Sequence, residues 1–520
     1  MAKILVILSL ISTSIFSQTI TYGFSEAFET VKGHDMGLFR FNKNEYFELY
    51  LRKGDDMVFQ LYDESFKNLK KQEVISLPEN SRTFADEGFF KVKNDMFWLY
   101  STSDRNSKTE QLFALPFDKS SLSFSSSEIK LVEAGRMEPG YKYRVNYSVD
   151  STKILATYTL QPKGRRVELN KEIIGFNLYD HKMNKLYAGE IEMPYPKDDI
   201  NKIDYEIDSR GNIYLLIEVK INNSIDGAVN KGKENRKATR YELFRVYQKD
   251  NTLQVININL SNKYTKSALL SEDLNHNVII SGYYSDEKNS SISNGAFIIS
   301  LELDINNFVK NLKTIYSEFP AETLYAYETE QARRKKEHRG ENIEVTNLRF
   351  DKIIFNTDGS MIIIGEDLFV TSHEYGDEKH GGTSFTYFYN EILVLKIDKN
   401  GKTLWCCKIP KQQSGYNTSE YSYHHHSHNG EDYFFYLDNI KNINLSLSDA
   451  PFPYLSGSGG YLSCVKMSSE GKMTKKSIIE LKEKDLRIYP NAFKSISSNL
   501  IVYKLKIDKI ESRVFRIDIK

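Results

Sequence analysis

The sequence predicts an all-β fold, a β-propeller of four-stranded blades, and three observations lead there. A unit of strand, polar turn and strand recurs along the chain. Residues that suit a pleated, half-buried surface are abundant, with 34 Tyr and 30 Phe against only 11 Pro. The two ends of the mature chain read as complementary parts of one sheet.

The clearest unit is Ile392-Leu-Val-Leu-Lys-Ile-Asp-Lys-Asn-Gly-Lys-Thr-Leu-Trp405, with its turn at Asp398–Gly401. Asp and Asn turn the chain by capping the backbone with their side chains, and Gly by reaching positive φ. Six further hairpins match it, with turns near Asp63, Asp118, Asp180, Asp250, Asp304 and Ser469. Ahead of these lie strand pairs with turns of their own. Asp208-Ser-Arg-Gly-Asn-Ile-Tyr-Leu-Leu-Ile217 and Asn356-Thr-Asp-Gly-Ser-Met-Ile-Ile-Ile-Gly365 are the plainest, and weaker versions run over 92–98, 149–155 and 273–281. Two hairpins per repeat make the four-stranded unit of a propeller.

Phe493 to Lys520 reads as three strands and lacks a fourth, whereas Gln18–Tyr22 is a strand with no hairpin partner. Joining them closes a ring and hides two sheet edges that otherwise template pairing between chains. The count is then eight blades, with seven as the alternative. Insertions are expected near 222–240, 321–345, 371–385 and 446–460, and helix formers at 321–339 predict a short surface helix between blades. Arg333–Lys336 in that stretch reads as a solvated charged face.

Residues 1–17 have the pattern of a secretory signal: Lys3, an apolar run from Ile4 to Phe16, then Ser17. That run is too short to span a bilayer. An exported protein is therefore expected, in the periplasm, at the cell surface or outside the cell, with residues 18–520 forming one propeller domain. Lys plus Arg and Asp plus Glu both number 70. This balance offers no broad positive field for nucleic acid. Cys406, Cys407 and Cys464 are too few for a disulfide scaffold; buried thiols are expected, and one bridge to Cys464 across adjacent repeats is the alternative.

The run Tyr387 to Lys411 resembles a group of uncharacterised, exported propeller-like proteins of Gram-negative bacteria, and 358–366 and 433–442 share the likeness. The resemblance covers about residues 350–445. It implies a propeller fold and export, and it carries over no catalytic residues.

For chemistry, the best candidate is Tyr423-His-His-His-Ser-His-Asn-Gly-Glu-Asp432. Asn429-Gly430 signals a type I′ hairpin. The strand entering it carries His424, His426 and His428 on one face and His425 on the other. Three imidazoles on one face are the donor set for Zn²⁺ or Cu²⁺, completed by Glu431 or Asp432; the plain alternative is a polar strand end. His373-Glu374 and His380 lack the i, i+4 spacing of a metalloprotease helix and fall in what reads as a loop. No nucleophile elbow or phosphate loop occurs, and Ser456-Gly-Ser-Gly-Gly460 lacks the elbow frame. Among carboxylates, Glu366 and Asp367 at a strand end are the pair to inspect for glycoside chemistry.

The expected function is a non-catalytic binding or scaffolding platform for an extracytoplasmic protein, peptide or glycan. A first alternative is a hydrolase or lyase acting on extracellular polysaccharide or peptide, with acid–base residues converging on the central channel. A second is a metal-binding protein using the His424–His428 strand. Carboxylates, or a His with a carboxylate, in a deep axial pocket speak for the enzyme. An apolar or unpaired polar lining speaks for the platform.

Overall fold

The computed structural model describes residues 19–520 apart from 53–55, 78–83, 105–107, 138–142, 163, 165–169, 222–237, 249–250, 288–291, 307, 328–344, 376–381, 417–420, 456–458 and 483–485. The expected signal segment 1–17 and most of the insertions at 222–240 and 321–345 lie outside the described residues.

Among the described residues, eight sheets built on four antiparallel strands follow one another along the chain; five have four strands, two have five and one has six, and a two-stranded pair, Ile292–Ser293 with Val345–Thr346, stands apart. Sheets 1 to 7 span 34–76, 84–134, 144–196, 200–258, 264–318, 348–409 and 423–480. Sheet 8 combines Lys494–Ser497, Leu500–Lys506 and Glu511–Ile519 with the N-terminal strand Ile20–Phe24. Ile20 pairs with Ile519 and Phe24 with Phe515, so the first and last stretches share a sheet as the unpaired ends suggested. The strand starts slightly later than Gln18.

The sheets face their chain neighbours, and the apolar clusters show it. Phe47 and Trp98 share a core between sheets 1 and 2, Leu99 and Ile154 between 2 and 3, Leu178 and Ile213 between 3 and 4. Leu216 and Ile280, Tyr283 and Leu393, Ile364 and Phe434, and Phe435 and Ile517 continue the series. Tyr62 and Val502 close it between sheets 8 and 1. A closed succession of face-to-face sheets is a propeller. It explains why middle strands such as Tyr433-Phe-Phe-Tyr436 are apolar at every position: successive side chains point to opposite faces, and both faces are covered. Phe434 packs toward sheet 6 and Phe435 toward sheet 8.

The recurring turns close as their residues require. Asp398 Oδ1 accepts from the amides of Asn400 (2.8 Å) and Lys402 (2.9 Å), and Asp180, Asp208, Asp273 and Asp304 repeat the pattern. Gly401 has φ +87°, and a Cβ there would lie 1.7 Å from Ile315 Cγ2 of the preceding sheet.

Of the expected surface helix, the described part is Ala321–Leu324; residues 328–344 lie outside the described residues. One local expectation changes. The segment read as a loop around His373 is instead a hairpin arm: strands Met361–Tyr375 and Gly382–Ile397 stay paired from Leu368↔Tyr389 to Tyr375↔Gly382. Only its base, Leu368, Tyr387 and Tyr389, packs on the core; the alternation beyond is weak because both faces there stand clear of it, so no burial pattern marks that stretch in the sequence. The cysteines are free thiols, as the leading expectation had them. Cys406 packs at the core between sheets 5 and 6, Cys407 between 6 and 7, and Cys464 between 7 and 8.

Candidate functional site

Chain direction decides which connections gather where. Within each of sheets 1 to 7 the strands pair in sequence order, so the turns between first and second and between third and fourth strands lie at one end. The other connections lie at the opposite end. The Asp turns occupy the first end. The insertion at 321–345 joins the last strand of sheet 5 to the first of sheet 6, and those at 222–240, 371–385 and 446–460 join second to third strands. All four therefore leave from the same end.

At this insertion end the arm 368–389 is the main described feature. Val370, Tyr375 and Phe385 are about half exposed, and Phe369 stacks on Phe388 with ring centroids 4.5 Å apart. Gln413–Gly415 pairs with the arm at Tyr387–Tyr389, and Tyr454–Leu455 pairs with Gln413–Ser414 in turn. Connections of two sheets are thus sewn into one extended surface, on which Tyr416 and Leu455 are also exposed.

Beneath it sits Glu366, fully buried. Lys411 Nζ lies 2.8 Å from its Oε1, with the ammonium's hydrogen bonds directed at Tyr389 O and Gln413 Oε1. Arg349 Nη2 (3.1 Å) and the Ser422 hydroxyl (2.8 Å) donate to Oε2. Asp367 does not join it. Asn390 donates to Asp367 Oδ2 at 3.0 Å, and burial pushes that carboxyl up to about 6. Glu366 is committed to holding the strands that carry the arm, and the two residues form no acid–base pair facing a common cleft.

The axis is lined by the first strand of each sheet. Glu272 shows this, because its carboxylate accepts from the Ser209 amide of sheet 4 and from the Val149 amide of sheet 3, each at 2.8 Å. Sheets two apart meet only near an axis. On the neighbouring inner strand, Asp204 accepts from the Tyr205 and Leu270 amides. Burial, reinforced by Asp204, Glu272 and Asp208, raises Glu206 from 4.5 to about 8. Asp204 is thus tied to backbone amides, while Glu272 holds two amides and also meets His276, whose Nδ1 lies 3.0 Å from Glu272 Oε1.

The His-rich segment forms the first strand of sheet 7, Tyr423–His428, and the turn follows at Asn429-Gly430 with φ +50° and +77°. A shallow, open cleft of about 390 Å³ lies beside it, lined by Lys352 and Ile354 of sheet 6, His425, His426 and Ser427 of sheet 7, and Ser495 to Ser498 of sheet 8. His424 Nε2 and His426 Nδ1 each lie 2.9 Å from Ser495 Oγ. His426 Nε2 lies 2.8 Å from the Ser498 carbonyl oxygen. On the other face His425 Nε2 donates to Asp432 Oδ1 at 2.8 Å, and Ser427 donates to the same oxygen. Burial works to raise the Asp432 carboxyl, but these hydrogen bonds outweigh it and hold the group below its ordinary value. Burial, with His426 and Lys352 nearby, lowers His424 to about 3, so its imidazole is neutral.

The strand thus brings His424 and His426 to one point, as alternation requires. His428 turns away, its Nε2 accepting from the Asn429 amide at 3.0 Å. Among the described residues no three metal-ligating side chains converge. The residue that sequence reading missed is Ser495. It is 71 positions from His424, and nothing local marks it; only the packing of sheet 8 on sheet 7 brings it there. His380 lies outside the described residues, and His373 stands on the exposed arm.

No family model and no curated protein matches the sequence. Among solved structures, the chain is similar to the WD40 domain of SCAP from fission yeast at 9% identity and TM-score 0.38, covering 96% of this chain and 94% of that one. It is similar to prolyl endopeptidases at 8% identity and TM-score 0.37, covering 93% of this chain, and it spans only 52% of the endopeptidase. An uncharacterised protein of Listeria monocytogenes is similar at 9% identity and TM-score 0.33, over 80% of this chain and 90% of that one. The fold assignment rests on the sheet order and the closed series of cores, which make the chain an all-β propeller.

Proposed function

We propose that this chain is an exported binding platform whose recognition surface is the insertion end of the propeller. The observation that carries the reading is that all four long connections leave from that end, where the arm 368–389 holds exposed Val370, Tyr375 and Phe385. Loops on a rigid scaffold are free to vary and to recognise, and half-exposed aromatics beside a fixed sheet suit contact with a peptide or glycan.

The test starts with glycan and peptide arrays probed with the mature protein. The bound ligand is then titrated against Val370→Ser/Phe385→Ser, two changes on one face of the arm. Each side chain contributes about 1.5–3 kcal/mol if fully covered, so affinity should fall at least about tenfold while thermal stability stays unchanged. A ligand that binds the double variant as tightly, and protects the Asp turns instead of the arm from hydrogen exchange, would overturn the assignment.

A further inference from the structure

We propose that Ser495 is a nucleophile, set between His426 as base and His424 as hydrogen-bond donor, for acyl transfer from an ester or similarly activated acyl compound. This goes beyond the binding reading and does not depend on it, since the cleft lies at the turn end of sheets 6 to 8.

The argument is a count of protons. The Ser498 carbonyl can only accept, so His426 Nε2, at 2.8 Å, must carry a hydrogen. In the neutral ring Nδ1 is then bare, and it accepts the Ser495 hydroxyl proton at 2.9 Å. With that hydrogen spent, Ser495 Oγ has only lone pairs for His424, whose Nε2 must be the protonated nitrogen at 2.9 Å. One tautomer of each ring satisfies every contact. The result is a serine hydroxyl with a base fixed in orientation by a third group, the logic common to serine nucleophiles on unrelated folds.

Access and charge agree with the geometry. Ser495 is an exposed residue lining the cleft, while His426 is only 5% exposed. Lys352 lines the same cleft and its charge acts on His424 beside Ser495.

In the step itself, Ser495 Oγ bonds to the acyl carbon as its proton passes to His426 Nδ1. The resulting imidazolium is held through Nε2–H by Ser498 O, and His424 Nε2–H remains directed at Oγ. Collapse breaks the bond to the leaving alkoxide, which takes the proton back from Nδ1. Water, deprotonated by the same nitrogen, then releases the acid and restores the hydroxyl.

The test uses the full mature chain and a fluorophosphonate probe, with the adduct followed by intact mass and located by peptide mapping. The phosphorus–fluorine bond breaks, fluoride leaves, the Oγ–phosphorus bond forms, and the proton goes to His426. The expected result is an adduct on Ser495 in native protein that is absent after heat denaturation and absent in Ser495→Ala. Its rate should fall about 100-fold in His426→Gln, the scale of a lost general base. A native protein with no adduct at Ser495 overturns the proposal. So does labelling that survives denaturation, or a rate unchanged in folded His426→Gln, because a merely structural bridge between sheets 7 and 8 predicts those results. If His426→Gln does not fold, the native-versus-denatured contrast in the unaltered chain decides the question.

Discussion

Glu206 gives the most quantitative prediction. Its carboxyl lies on the inner strand of sheet 4 and is raised from 4.5 to about 8 by burial first, then by Asp204, Glu272 and Asp208. A group whose folded pKa is raised contributes stability that is complete below its unfolded pKa. That contribution is lost as pH climbs through the folded value, because the folded state keeps a proton that the unfolded chain has released. The window is therefore 4.5 to about 8. At about 1.4 kcal/mol per unit the full loss is on the order of 4–5 kcal/mol, an upper bound because the neighbouring acids titrate together. Glu206→Gln keeps the shape and removes the proton. Urea midpoints at pH 5, 7 and 9 should decline for the unaltered chain and decline much less for the variant, which should be the more stable of the two at pH 9. Parallel pH profiles for both proteins would refute the reasoning.

Breaking the ion pair under the arm should cost more than any surface change. Lys411→Met leaves Glu366 buried with less compensation, an expected loss of about 3–5 kcal/mol by denaturant unfolding, and Lys411→Met/Glu366→Gln should recover most of it. Gly401→Ala should destabilise by about 2–3 kcal/mol through the positive φ and the collision with Ile315. A calorimetric Tm equal to that of the unaltered protein would remove Gly401 from the list of required turn residues.

The fold was legible because its signals are local and repeated. Asp398-Lys-Asn-Gly401 and its relatives announce themselves by turn chemistry, and Tyr433-Phe-Phe-Tyr436 by covering both faces of a middle strand. The site was legible only by halves. Alternation placed His424 and His426 together, yet it also placed His428 with them, and the tight turn at Asn429-Gly430 gave His428 a nearer partner in Asn429. Ser495 carries no signal, since a serine on an inner strand looks like any other until sheet 8 is folded against sheet 7. The Glu366–Lys411 pair was similarly hidden. Glu366 read as a strand-end acid, and its burial follows from connections that cross from sheet 6 to sheet 7.

The closed ring, with both chain ends in one sheet, underlies every placement above, and a cross-link tests it most directly. Thr21 faces Asp518 across the antiparallel pair, a separation that a disulfide spans without moving the backbone. Mild oxidation of Thr21→Cys/Asp518→Cys, in a chain with Cys406, Cys407 and Cys464 replaced by Ser, should give an intramolecular bond that circularises nearly the whole chain and speeds its migration in a denaturing gel. A protein that stays linear, or that links only between molecules, would contradict the account.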